Sequence, residues 1–307
     1  MNCLVLGGNG FIGSHLVDRL LAEGHNVRVF DKYEEHYRKP LTEVDYRYGD
    51  FGNRGLLTEA LTDMDVLVHL ISTTLPKTSN DDPAFDVQSN VVETLFLLEQ
   101  CITRKISKIV FMSSGGTIYG KPSILPISEN GPADPECSYG ITKLTIEKYL
   151  ALFNRLYGLE YTILRPSNVY GSRQNPDGIQ GAISVFLGRV ARGVPIQVWG
   201  DGNVVRDYIY IDDLVDAINK SVKMSTPDRI FNIGSGKGVS INKIIEIICQ
   251  VTKRDKRVEY QAKRIFDVQE IYLDVRRARQ QLNWCATTPL EDGIKKTWDF
   301  ILRLESR

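Results

Sequence analysis

The chain of 307 residues has little of what marks small exported proteins or membrane proteins. Cysteine is scarce: Cys3, Cys101, Cys137, Cys249 and Cys285. The count is odd, the spacings are wide and no two stand as Cys-x-x-Cys, so neither a disulfide framework nor a zinc site is indicated and no metal is expected. No apolar run approaches the ~18–20 residues of a membrane span. The opening MNCLVLGG has a short apolar run closed by glycines, which reads as a strand rather than an export signal. An excess of charge is missing too. Lys plus Arg and Asp plus Glu number 38 each, which gives no reason to expect nucleic acid as a partner. The expectation is a chain with no membrane insertion, in the reducing cytoplasm.

What is present is ordinary in proportion and ordered in pattern. With 42% hydrophobic and 25% charged residues, the chain can bury a sizeable core. Its length suits one large domain with a second lobe. Strands are expected at 2–6, 26–30, 65–71, 107–113 and 160–164, and helices at 11–23, 84–104 and 138–157. Near-continuous apolar strands alternating with helices predict an α/β fold: a doubly wound parallel sheet of the Rossmann type, with ligands at the carboxyl ends of its strands. After Arg165 the texture changes. Residues 172–205 are rich in Gly, Asn, Pro and Gln, with a helical stretch near 180–192. Helices follow near 212–223, 240–252 and 290–303, and a strand at 229–233. The expected division is a Rossmann domain over 1–171, joined by 206–234, and a smaller C-terminal α/β lobe built from 172–205 and 235–307.

Residues 7–13 read GGNGFIG, between a predicted strand and a predicted helix. Glycines there allow a tight turn and let the main chain approach a pyrophosphate seated on the helix N-terminus. A plain strand–helix turn looks the same, so context decides. Asp31 closes the next strand, 18 residues past Gly13. A carboxylate at that point accepts hydrogen bonds from an adenosine ribose and repels a 2′-phosphate. That favours NAD over NADP, a preference that the neighbouring Lys32 weakens.

Residues 138–143 read SYGITK, which sets Tyr139 and Lys143 on one helix face. A free tyrosine, with a pKa of about 10, is a poor base at neutral pH. A nearby ammonium is expected to lower that value, so the pair can accept a proton from a hydroxyl while hydride leaves the same carbon. Such a pair is common on helix surfaces. Its position after a Ser-Ser-Gly-Gly strand end singles it out.

Together these runs resemble the extended short-chain dehydrogenase/reductase family, most closely its nucleotide-sugar 4-epimerases, and the match runs nearly end to end. GGNGFIGSH (7–15) is similar to the family's cofactor loop, although Leu6 stands where a Thr is often seen. GDF (49–51), HLIS (69–72), SSGGTIYG (113–120) and LRPSNVYG (164–171) are similar to its cofactor and catalytic segments. GDGNVVRDYIYIDD (200–213), FNIGSG (231–236), LNW (282–284) and PLEDG (289–293) fit as well. The resemblance implies that NAD is bound by Gly7, Asn9, Gly10, Phe11, Ile12, Gly13, Asp31, Lys32, Asp50, Phe51, Leu70, Ile71, Ser72, Asn90, Ser113, Tyr139, Lys143 and Pro166. It implies that Arg206 and Arg264 hold the diphosphate of a sugar nucleotide with their guanidinium forks. Asn168 would donate to the same phosphates, Gln180 would lie at the substrate and Trp199 would pack on the uracil. The plain alternatives are lobe packing for Trp199 and an ion pair of Arg206 with Asp207.

Two departures from the family pattern matter. The epimerases carry a Ser or Thr four residues before the Tyr of the Tyr-Gly pair, where it bonds the reacting hydroxyl; here that position is Gly115. Thr117 lies on the same strand face by the period of two and is the expected substitute, with Ser114 as the other choice. Related dehydratases and decarboxylases carry an acid in this segment. Gly116 and Thr117 offer none, so elimination lacks its acid–base partner.

The implied reaction is inversion at the sugar C4. Tyr139 takes the hydroxyl proton, hydride passes to NAD, the 4-keto sugar turns over and hydride returns to its other face. The rivals are an NAD(P)H-dependent 4-ketosugar-nucleotide reductase and a non-catalytic dinucleotide-binding module. UDP is the nucleotide that the resemblance favours. The sugar stays open among hexose, N-acetylhexosamine and uronic acid. Ile271, smaller than the Tyr of strict glucose enzymes, hints at room for an N-acetyl group. Homodimerisation through the helices at 84–104 and 138–157 is a family expectation.

Overall fold

The computed structural model describes residues 1–262 and 268–306. Its strands are β1 (Asn2–Leu6), β2 (Asn26–Asp31), β3 (Val44–Tyr48), β4 (Val66–His69), β5 (Lys108–Met112), β6 (Glu160–Pro166), β7 (Asn168–Tyr170), β8 (Ile196–Trp199), β9 (Val205–Arg206), β10 (Tyr208–Tyr210), β11 (Ile230–Ile233), β12 (Val239–Ser240), β13 (Val258–Gln261) and β14 (Glu270–Ile271). Seven of them form the main sheet in the order β3-β2-β1-β4-β5-β6-β11. Every neighbouring pair in it is parallel. The order reverses between β1 and β4, which opens a crevice at the strand ends.

The helices are α1 (Phe11–Ala22), α2 (Arg54–Ala60), α3 (Pro83–Asp86), α4 (Glu93–Thr103), α5 (Ser138–Tyr157), α6 (Ala182–Ala191), α7 (Ile211–Lys223), α8 (Ile241–Thr252), α9 (Arg276–Gln281) and α10 (Leu290–Glu305). The sheet's alternation divides the core. Cys3 and Val5 of β1 join one apolar cluster with Leu16 and Leu20 of α1 and Leu214 and Ile218 of α7. Leu4 and Leu6 join another with Leu57, Leu98, Ile146 and Leu150 of α2, α4 and α5. Both faces are covered, which is why these strands read as unbroken apolar runs. Burying a leucine in such a layer contributes about 2–3 kcal/mol. Beyond the main sheet α10 packs on α6 and α8, beside the pair β8–β13 and the small sheet β12–β9–β14.

Three elements differ from the sequence reading. The stretch 84–104 is not one α-helix: α3 starts from Asp82, whose side chain accepts from Phe85 N, and a π-helical segment, Val87–Val92, precedes α4. Such segments widen a helix locally and gather at functional sites. The strand expected to run through 113 ends at Met112, and 115–117 form a turn. The alternating-face argument for Thr117 therefore does not apply. The strand β3 carries no apolar run to announce it, because VDYRY lies at the sheet's edge and is mostly half-buried or exposed.

Candidate active site

The glycine loop sits at the carboxyl end of β1. Gly7 has a φ of +82°, a conformation that side chains rarely tolerate. A Cβ on Gly13 would lie 2.1 Å from Gly7 O and 2.6 Å from Gly8 Cα, so only glycine lets α1 pack this closely on the loop. Gly10 caps α1 without a side chain, and no acidic residue occupies its first turn. The partial positive charge of the helix end is thus unopposed. Asp31 is buried; its Oδ2 accepts from Asn9 N at 3.0 Å and its Oδ1 from Tyr33 N at 3.0 Å. Asn9 donates to Tyr33 O at 2.7 Å, and its own Oδ1 is buried with no partner in the chain. These features fit a dinucleotide: an uncapped helix end, a carboxylate with lone pairs left over and an orphaned acceptor. Lys32 pairs with Asp50 at 3.0 Å on the surface, and Asp50 also accepts from Gly52 N. Phe51 is buried, with its ring 5.2 Å from that of His69.

The loop after β4 brings Leu70, Ile71 and Ser72 beside the glycine loop; a Cβ on Gly7 would touch Ile71 Cγ1 at 3.3 Å. Asn90, in the π-helical segment, is turned toward this loop. Its Oδ1 accepts from Thr73 N at 3.0 Å and its Nδ2 donates to Thr73 Oγ1 at 2.7 Å and to Asp86 Oδ1 at 2.9 Å.

Tyr139 and Lys143 stand on the first turns of α5. Lys143 is buried, donates to Met112 O at 3.0 Å and lies 4.9 Å from the Phe111 ring centre and 5.6 Å from that of Tyr139. Burial pushes Lys143 down from 10.5 to about 8, against the pull of Asp86 and Glu147. Burial also pushes Tyr139 up to about 12, helped by Cys137 and Asp86, while a hydrogen bond with Ser72 lowers it. The expectation that the ammonium would lower the phenol is thus not met in the chain by itself. The desolvated phenolate costs more than its surroundings return.

Beneath this pair runs a buried polar network that the sequence reading missed. Ser113 Oγ donates to Glu147 Oε1 at 2.6 Å, and Arg165 clamps both oxygens of Glu147 at 2.9 and 2.5 Å. Arg165 also donates to the Tyr119 hydroxyl at 2.8 Å, which donates to Asn232 Oδ1 at 2.6 Å. Ser113 therefore spends its hydroxyl inside the protein.

Gly115 has a steric reason. A Cβ there would lie 2.6 Å from Leu273 Cδ1, 2.9 Å from Arg165 O and 3.0 Å from Pro166 O. Ser114 is half-buried. Thr117 abuts the start of α5, its carbonyl 2.8 Å from where a Cβ on Gly140 would be, and its buried Oγ1 has no partner in the chain. Among the described residues this is a buried, unused hydroxyl near the start of α5, reached by a turn and not by the strand alternation that suggested it. Gly115→Ser is expected to cost about 1–3 kcal/mol by overpacking and not to raise turnover. Chemical denaturation with an activity assay checks this; a stable, faster variant would contradict it.

Beyond β6, Asn168 is exposed and donates to Asp207 O at 2.9 Å. Arg206 is the register partner of Ile271 in the parallel pair β9–β14. The Asp207 carboxylate is buried and accepts from Ser235 N and Oγ, Gly236 N and Leu273 N, so it is turned away from the surface pairing considered above. Ile271 is buried with Tyr119, Ile127 and Leu273. Trp199 is 46% exposed at the end of β8, and Gln180 is exposed just before α6. Arg264 lies outside the described residues.

An unopposed helix end behind glycines, a buried carboxylate at the end of β2 and a buried Tyr–Lys pair are the marks of a dinucleotide-dependent enzyme of the short-chain dehydrogenase/reductase type. Residues 3–234 match the model of the NAD dependent epimerase/dehydratase family, and the chain belongs to that family. It is 35% identical to the UDP-glucose 4-epimerase of Mycolicibacterium smegmatis, over 98% of both chains. The crystal structure of the Thermotoga maritima UDP-glucose 4-epimerase with UDP-glucose superposes with a TM-score of 0.94 at 35% identity, covering 99% of this chain and 100% of that one. The Thermus thermophilus UDP-glucose 4-epimerase in complex with NAD superposes with a TM-score of 0.91 at 31% identity, covering 98% and 99%.

Proposed function

We propose that the chain is an NAD-dependent 4-epimerase of a UDP-sugar, with Tyr139 as the group that takes and returns the C4 hydroxyl proton. The observation that carries this is the buried Tyr139–Lys143 pair, with Lys143 held at the carboxyl end of β5 and Ser72 acting on the phenol. NAD, when bound, supplies a hydride acceptor and donor for C4 and a positive charge near the phenol. The chain's own part is to hold the dinucleotide on Gly7–Gly13, Asp31 and the main chain after β4 and β5. It then keeps a proton available at Tyr139 Oη, where burial excludes water and favours the neutral phenol and Ser72 works the other way. A single tyrosine that gives back the proton it took suits an inversion with no net redox change.

Asn168, Arg206, Arg264, Trp199 and Gln180 are assigned to the nucleotide and sugar. Which sugar is accepted is read from Ile271: its modest bulk next to Arg206 supports N-acetylhexosamines alongside hexoses. Phe85 and Val87, with Ile141, Leu156 and Tyr157 on α5, are large exposed apolar side chains that support a homodimer through these helices. Five free cysteines support a reducing, cytoplasmic setting, and no described helix is long and apolar enough to cross a membrane.

The test is direct. Purified protein with UDP-glucose or UDP-N-acetylglucosamine is expected to equilibrate each with its C4 epimer, with no stoichiometric change at 340 nm. Loss of absorbance at 340 nm in step with product would make it a reductase instead, and no interconversion of either sugar would sink the assignment.

A further inference from the structure

Asp86 touches neither the glycine loop nor the phenol, yet among the described residues it is the junction on which the catalytic helix rests. It is 0% exposed. Its Oδ1 accepts from Thr74 Oγ1 at 2.5 Å and Asn90 Nδ2 at 2.9 Å; its Oδ2 accepts from Ser138 Oγ at 2.6 Å and Thr142 Oγ1 at 3.3 Å. The four donors come from three places: the loop after β4, the π-helical segment and the first turn of α5. No cation shares the carboxylate among the described ion pairs, so neutral donors alone hold it.

The same loop supplies the cap that α5 lacks. Cys137, at the N-cap position, makes no side-chain cap hydrogen bond. Instead Asn80 Oδ1 accepts from Ser138 N at 2.9 Å, and Ser79 Oγ, itself 0% exposed, accepts from Tyr139 N at 3.0 Å. Two of the orphan donors of the helix end are thus met from a distant segment. Ser72, at the start of that segment, donates to Thr74 O at 3.1 Å and acts on the Tyr139 phenol, which it lowers. Tyr139 is therefore gripped by one loop at its main chain and faced by the same loop at its hydroxyl. Asp86 ties the two together, since it binds Thr74 on one side and Ser138 on the other.

We propose that Asp86 is a positioning residue, a buried clamp that fixes the 72–80 loop to the first turn of α5 and so sets where the Tyr139 hydroxyl stands. This rests on the epimerase reading for its kinetic consequence and on geometry alone for its structural one. The carboxylate also bears on the charge of the pair. The charged or titratable groups facing Tyr139 and Lys143 are Cys137 at the N-cap of α5, Glu147 on α5, His69 on β4 and Asp86 on α3. Asp86 favours the proton on both, so removing its charge moves both ionisations to lower pH.

Asp86→Asn keeps the shape but cannot accept from Ser138 and Thr142 while also accepting from Thr74 and Asn90. Two readouts test it. In hydrogen exchange, the amides of Ser138 and Tyr139 are expected to exchange at least about tenfold faster, with the α1 amides unchanged. In turnover, kcat is expected to fall about tenfold to a hundredfold with KM for the UDP-sugar within about twofold, because a displaced group costs rate rather than binding. The midpoint of the kcat–pH profile is expected to move down. Ser79→Ala, which removes the cap to Tyr139 N and a long bond to Pro76 O, is expected to show the same exchange change in milder form and serves if Asp86→Asn does not fold. Unchanged exchange at the start of α5 in the folded variants would overturn the clamp. A kcat loss with an unmoved pH profile would reduce Asp86 to a structural support. A wild-type protein that turns over no UDP-sugar, with the exchange result intact, would count against the epimerase reading alone.

Discussion

Tyr139→Phe lowers kcat for UDP-sugar interconversion by about three orders of magnitude, the middle of the range that a positioned acid–base group contributes. The substitution is narrow. It keeps the ring 5.6 Å from the Lys143 ammonium and the main-chain bond from Tyr139 N to Ser79 Oγ, and it deletes only the hydroxyl and its bond with Ser72. Folding and nucleotide affinity are therefore expected to stay close to wild type. Steady-state kinetics beside a titration of UDP binding separate the two. A variant within about tenfold of the wild-type kcat would mean that another group carries the proton, and Thr117, with its unpartnered hydroxyl, would be the first to examine.

Glu147→Gln is expected to have the largest effect on stability, about 3–5 kcal/mol, because it leaves a buried guanidinium without its counter-charge. The side chains of Glu147 and Arg165 are only 2% and 4% exposed, and three hydrogen bonds converge on the carboxylate. Glutamine fills the same space, so the loss is electrostatic and not a cavity. The midpoint of urea unfolding reports it. A second site, Arg165→Met in the same chain, is expected to recover part of the loss, since a buried pair removed whole costs far less than a pair cut in half. The change reaches the chemistry as well. Lys143 is held at about 8 by burial, with Glu147 among the charges that keep it from falling further. Removing that charge lowers it. A group with a folded-state value already depressed by burial then loses its proton nearer neutrality, and the alkaline fall in activity begins at lower pH than in wild type.

The architecture was legible because the strands that matter are buried on both faces and so are written as apolar runs. GGNGFIG and SYGITK could be placed at strand ends once those runs were seen. The clamp on α5 was not legible. Ser79, Asn80 and Asp86 lie in a polar stretch without periodicity, and their partners stand 52 to 60 residues away. Glu147 was in view at the same spacing as Tyr139 and Lys143, but an acidic residue on a helix ordinarily faces water, and only Arg165 arriving on β6 shows that this one does not. Gly115 taught the opposite lesson. Read along the chain it was a lost hydroxyl; in the fold it is the place where two carbonyls and Leu273 leave no room for a Cβ.

The last strand of the main sheet carries a consequence for the order of events at the ribosome. A nascent chain emerging to residue 171 already holds the glycine loop, Tyr139 and Lys143. Its β6 has no outer neighbour until β11 arrives, and Tyr119 has no acceptor until Asn232 does. Until then β6 is an open sheet edge, the kind that seeks partners in other chains, and the Tyr119 hydroxyl that Arg165 holds still lacks its acceptor.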